Sequence, residues 1–70
     1  MVELRAEIVA TVLKVFVEVG QDLLPGDAVV LLESMKMEIP VLAESAGRLC
    51  HLNVGEGDTV AESEVLANIE

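Results

Sequence analysis

The chain has 70 residues, of which 53% are hydrophobic, and thirteen acidic side chains against four basic ones give a formal net charge of −9. A chain this short hides only about 60% of the surface its unfolded form exposes, so it builds one thin core with little room for a deep substrate pocket. The acidity excludes the basic footprint that nucleic-acid phosphates demand and argues against an anionic membrane surface.

Residues 1–70 read as a single domain. At the start, Glu3, Arg5 and Glu7 interrupt any charged-then-apolar leader. Val15, Val17 and Val19 alternate with Lys14, Phe16 and Glu18, the period-2 pattern of a half-buried strand. Gly20 follows as a turn position, Pro25-Gly26 marks a second turn, and Ala28–Leu32 is a short apolar strand behind it. Ser34-Met35-Lys36-Met37-Glu38 then lies between that strand and the strand-like Ile39–Leu42, which puts Lys36 at or beside a hairpin turn. Pro40 has no N–H to give a ladder, so its strand belongs at an edge or carries a bulge. Further on, Leu52 and Val54 alternate with His51 and Asn53, and Gly55-Glu56-Gly57-Asp58 reads as a tight turn. That glycine pair lacks the Lys and the helix of a phosphate loop. No stretch shows a capped 3.6-residue stripe. Short strands with frequent turns predict an all-β fold, a flattened barrel or sandwich of two antiparallel sheets.

The chain also repeats itself. Shifted by 37 residues, Ala10–Glu33 lies over Gly47–Glu70 without gaps. Val12 meets Leu49, Val15 meets Leu52, Val17 meets Val54, and Gly20 meets Gly57. Leu23 falls on Val60, Asp27 on Glu64, Leu32 on Ile69 and Glu33 on Glu70. The pattern predicts two quasi-symmetric halves about a pseudo-twofold axis, with Lys36 on the hairpin that links them.

Glu33-Ser34-Met35-Lys36-Met37-Glu38 resembles the attachment motif of the biotinyl/lipoyl domain family, in which a Lys between two Met carries biotin. Val17-Glu18-Val19-Gly20 before it, and Ala46-Gly47 and Val54–Val60 after it, resemble the family's flanking strands and turns, so the likeness spans roughly residues 8 to 70. It implies a barrel-sandwich hybrid fold without the protruding thumb loop of some biotin carboxyl carriers. It also implies a carrier rather than an enzyme: covalent biotin on Lys36, with a biotin protein ligase, a biotin carboxylase and a carboxyltransferase as partners. Met35 and Met37 would then touch the ligase or the biotin ring, and Glu33, Ser34 and Glu38 would serve ligase recognition. The family often has Gly at the places of Ala10 and Ser63, which predicts turns of a different shape there. Lipoate on the same Lys is the nearest rival, although lipoyl motifs more often read Asp-Lys-Ala. An unmodified acidic interaction module is the rival of another class.

The chemistry asked of Lys36 is that of a presented amine. The ammonium must lose its proton to attack an activated acyl group, and no base stands beside it in the sequence, so the ligase supplies that step. The resulting arm of about ten bonds would reach on the order of 12–14 Å from the Lys36 Cα. Other candidates are weaker. Cys50-His51 supplies two potential metal ligands where a structural zinc wants four. Asp58, Glu62 and Glu64 lack calcium-loop spacing. Lone Cys50 reads as a small, partly buried apolar residue and excludes an internal disulfide. No catalytic constellation and no metal site is expected, and the expected state is a cytoplasmic monomer.

Overall fold

The computed structural model describes residues 1–70, which form eight strands: β1 (Val2–Arg5), β2 (Ala10–Val15), β3 (Asp22–Leu23), β4 (Ala28–Ser34), β5 (Met37–Leu42), β6 (Gly47–Leu52), β7 (Thr59–Val60) and β8 (Val65–Ile69). They pair antiparallel into two four-stranded sheets, β1-β8-β6-β3 and β5-β4-β2-β7. No helix is long and apolar enough to cross a membrane. Sixteen buried residues, all aliphatic, form one core cluster between the sheets.

The repeat reaches further than its most legible part. Val2–Arg5 of β1 also falls on Ile39–Leu42 of β5 at the same spacing, so residues 1–33 correspond to 38–70 from end to end. Adding 37 turns the strand order of one sheet into that of the other. Core positions follow the same rule: Ala6 and Ala43, Val12 and Leu49, Leu23 and Val60, Val29 and Leu66, and Leu32 and Ile69 are all buried. Burying a Val, Leu or Ile side chain contributes about 1.5–3 kcal/mol, and each of those mate pairs makes the contribution twice.

Backbone hydrogen bonds obey the symmetry and tie the halves together. Gly20 N–H donates to the Leu49 carbonyl and Gly57 N–H to the Val12 carbonyl, both at 2.8 Å. Ala43 N–H reaches the Asp27 carbonyl at 2.8 Å, and Ala6 N–H reaches the Glu64 carbonyl at 2.9 Å. Neither half can satisfy these groups alone. That requirement makes the two halves one cooperative unit.

Three local expectations are corrected. The first alternating strand was expected around Val15–Val19, whereas β2 begins at Ala10 and ends at Val15. A register shift between Val12 and Lys14 breaks the alternation, and Val19 is exposed rather than part of a strand. Second, Ala10 lies inside β2 and not in a turn; its mate is Gly47 in β6. A Cβ at Gly47 would collide with the Glu70 carbonyl oxygen and sit 2.7 Å from Ile69 Cγ2. Third, the turn at Ser63 is not reshaped. Ser63 takes φ 71 where Gly26 takes φ 93, and Glu64 N–H closes on the Ala61 carbonyl at 3.1 Å as Asp27 N–H closes on that of Leu24. Both are turns with a left-handed third residue, the place where Gly normally relieves the backbone. Pro40, as expected, lies on an edge strand, β5.

Candidate modification site

The β4–β5 hairpin carries all six residues of the central motif. Leu32 pairs with Ile39, Glu33 with Glu38 and Ser34 with Met37, leaving Met35 and Lys36 as a two-residue loop. Their φ angles are 52 and 65. Two successive positive values are the mark of a type I′ turn, whose twist matches that of the flanking strands and which normally takes Asn-Gly. Left-handed backbone at a residue with a Cβ costs about 1–3 kcal/mol. Here it is imposed on two adjacent long side chains.

The strands beside the loop add a second unfavourable feature. Leu32 points into the core, so alternation turns Glu33 and its partner Glu38 to the outer face, directly opposite one another. Like charges so placed destabilise a hairpin by roughly 0.2–1 kcal/mol. Both carboxylates are exposed. The apolar side chains at the tip gain nothing from the core either: Met35 is 87% exposed and Met37 56%. Ser34 is half-buried beside Met37. Lys36 is exposed and makes neither a hydrogen bond nor an ion pair; the ion pairs of the molecule join Glu3 to Arg5 and Asp22 to Arg48.

Strain, like charges and exposed methionines therefore meet at one hairpin of the sandwich. Locally unfavourable choices that persist together point to a functional constraint rather than a structural one. The reactive group on offer is a primary amine, free of partners and held by two paired strands. A group attached there meets no steric obstacle.

The surroundings include residues that sequence reasoning missed. Thr11 pairs with Glu33 and with Thr59, and extending the β2 register places Val9, 59% exposed, level with the loop. Its signal was available in the full-length repeat: the mates of Ile8 and Val9 are Ser45 and Ala46, so apolar bulk has been placed at one end only. Phe16 and the Cys50-His51 pair lie elsewhere. Phe16 is exposed just past β2, and Cys50 is half-buried in β6, with exposed His51 after it. The Cys50 thiol donates to Glu70 Oε2 at 3.0 Å. That hydrogen bond, with some desolvation and the carboxylate's negative charge, pushes the thiol pKa up.

Comparison with known proteins places this geometry. A family model described as biotin-requiring enzyme matches residues 4–69. A biotinylated protein TB7.3 homolog of Mycobacterium leprae is 51% identical over 67 residues, covering 96% of this chain and 94% of that protein. Among solved structures, a single-chain, multi-domain long-chain acyl-CoA carboxylase matches with a TM-score of 0.87 and 35% identity; the match spans 94% of this chain but 7% of the carboxylase. The lipoyl domain of the 2-oxoglutarate dehydrogenase complex from Azotobacter vinelandii matches with a TM-score of 0.79 over 96% of this chain and 95% of that domain, at 24% identity, which shows a shared fold. The chain belongs to the biotin/lipoyl attachment domain family.

Proposed function

We propose that this chain is a biotin carrier, modified on Lys36, that moves a carboxyl group between a biotin carboxylase and a carboxyltransferase. The observation that carries the reading is the hairpin: a partner-free Lys36 held in left-handed backbone at the midpoint of the repeat. The residues fit the group, since an exposed primary amine is the nucleophile an amide bond to biotin requires. Attached biotin supplies a site that accepts and gives up a carboxylate. The chain's own part is position. Its paired strands hold the amine away from the body of the sandwich, and tethering makes the second encounter intramolecular, at about millimolar effective concentration for a short flexible link.

The relatives support biotin over lipoate. The Mycobacterium leprae relative is named as a biotinylated protein, and the carboxylase named above contains a domain of this fold. Met35 and Met37 offer adaptable apolar contact to a ligase, and Glu33 and Glu38 offer negative charge to a basic cleft. Partners with basic faces suit a carrier of net charge −9. The reading is of a cytoplasmic carrier that needs no disulfide.

The test is the intact mass of the protein after co-expression with a biotin ligase and biotin, beside Lys36→Ala. One biotinyl group, absent from the variant, is the expected result. An unmodified mass, with a ligase that labels a known acceptor, overturns the biotin reading, and lipoylation is then tested in the same way. Reversing the charge of Glu33 or Glu38 is expected to slow labelling; an unchanged rate removes those residues from ligase recognition.

A further inference from the structure

Ile8 and Val9 sit in the segment between β1 and β2, outside the hairpin motif, and both are exposed, at 37% and 59%. Continuing the β2–β4 register back from Thr11 and Glu33 sets Val9 opposite Met35, and facing residues of an antiparallel pair lie about 5 Å apart. Val9 shares the outer face with Thr11, since Ala10 and Val12 are buried. Ile8 lies on the other side, in an open groove beside Ile39. Met37, two residues before Ile39, belongs to that side too. Exposed apolar side chains therefore flank the Lys36 loop from both faces, and Ile8 and Val9 come from outside β4 and β5.

The repeat shows that the fold does not ask for this. Ser45 and Ala46, the mates of Ile8 and Val9, lead into Gly47, which lies against the Glu70 carbonyl at the end where Val2 pairs with Ile69. The same backbone task is done there by a hydroxyl and a methyl. Two adjacent large apolar side chains left in water gain little from the core, and they occur at the end that carries the amine.

The size of a protein contact explains their place. An ordinary interface buries about 800 Å² on each side, a patch roughly 30 Å across, and a transient one of about 500 Å² is still about 25 Å across. The whole chain measures 31 × 17 × 17 Å. A ligase that closes on Lys36 therefore cannot rest on the hairpin alone. Its footprint takes in the segment before β2, one strand spacing from Met35.

We propose that Ile8 and Val9 are specificity-determining residues for biotin attachment, docking the biotin ligase together with Met35 and Met37. The inference rests on the attachment proposed for Lys36. The pair binds the ligase alike before and during acyl transfer, so it sets the affinity for the carrier and takes no part in the chemistry. Its loss raises KM and leaves kcat unchanged.

The double variant Ile8→Ser with Val9→Ala copies the residues that the mate positions already accommodate. Biotinylation rates are measured against carrier concentration, using a ligase that labels the wild-type chain, with biotin and ATP saturating. KM is expected to rise about tenfold at constant kcat, a modest value for two truncated interface residues. Val9→Ala alone should raise it about threefold, and decides the matter should the double variant unfold in a thermal melt. Ser45→Ile with Ala46→Val adds the same bulk at the far end and should change neither constant. An unchanged KM in the folded variants, or a fall confined to kcat, overturns the ligase contact and leaves the attachment proposal standing, with a carboxylase component as the next occupant to test. A wild-type chain that cannot be biotinylated overturns both.

Discussion

The two halves of this molecule use one backbone plan with different side chains, and the differences separate what the fold needs from what the hairpin needs. Residues 1–33 and 38–70 share buried positions, turns and inter-half hydrogen bonds. Where their side chains diverge inside the sandwich, volume is traded between mates, as with Val12 and Leu49 or Val30 and Ala67. Where they diverge along β5 and in the loop before β2, the change is in chemistry: Ile8 for Ser45, Leu42 for Arg5, Pro40 for Glu3. Only residues 34–37, which have no mate, combine left-handed backbone, exposed apolar side chains and an unpaired amine. A duplicated architecture supplies its own control. What both halves share is structural, and what one half lacks asks for another reason.

The comparison breaks most readily in the core. Leu49 and its mate Val12 are both essentially inaccessible. Leu49→Ala is expected to cost about 2–5 kcal/mol in urea denaturation. If the halves are equally packed, Val12→Ala should cost about two thirds as much, in proportion to the methylene equivalents removed. A larger loss at Val12 would show that the first half dominates the core. A related test uses Gly47 and Ala10. Gly47→Ala drives a methyl into the Glu70 carbonyl and Ile69 and is expected to destabilise by about 1–3 kcal/mol. Ala10→Gly meets no clash and should lose only about 0.5–1 kcal/mol through backbone freedom. Equal effects would mean that the β6–β8 contact is no closer than its mate.

Much of this architecture is legible in the sequence, for identifiable reasons. The two-sheet β fold follows from short apolar runs and Gly-marked turns, and the symmetry from core positions recurring every 37 residues. The hairpin follows from its place between two strands. What resisted reading was local. A bulge between Val12 and Lys14 reversed the phase of alternation, so a strand running from Ala10 to Val15 read as one centred on Val17. The β1–β5 correspondence was hidden because Glu3 against Pro40 and Arg5 against Leu42 share no chemistry, although their backbones share a role.

A smaller effect concerns the turn at Ser63. Only backbone conformation should separate Ser63 from Gly26, because a Cβ at Gly26 meets nothing within 4 Å. A left-handed residue with a Cβ costs about 1–2 kcal/mol, and glycine's extra freedom in the unfolded chain returns about 0.5–1 kcal/mol of that. Ser63→Gly should therefore stabilise by roughly 0.5–1 kcal/mol, and Gly26→Ser should destabilise by a similar amount. The Arg5 hydrogen bond to the Ser63 carbonyl uses backbone and survives the change. Same-sign effects in thermal unfolding would show that the two turns are not equivalent.

The smallest expected effect lies at Cys50, whose mate is Leu13 and whose partner Glu70 is the mate of Glu33. Here a thiol faces a carboxylate, whereas Leu13 has no polar group to offer Glu33. The hydrogen bond to Glu70, desolvation and the carboxylate charge all favour the protonated thiol and raise its pKa in the folded chain. The folded state thus keeps a proton that the unfolded state loses once pH passes the free thiol value of about 8.5. The corresponding stability is present below that pH and declines as pH rises through it. Removing the carboxylate charge with Glu70→Gln should make Cys50 react faster with iodoacetamide near pH 8 and move its rate–pH profile to lower pH. Superimposable profiles would show that Glu70 does not hold the proton on Cys50, and that the thiol is as indifferent to its neighbour as Leu13 is.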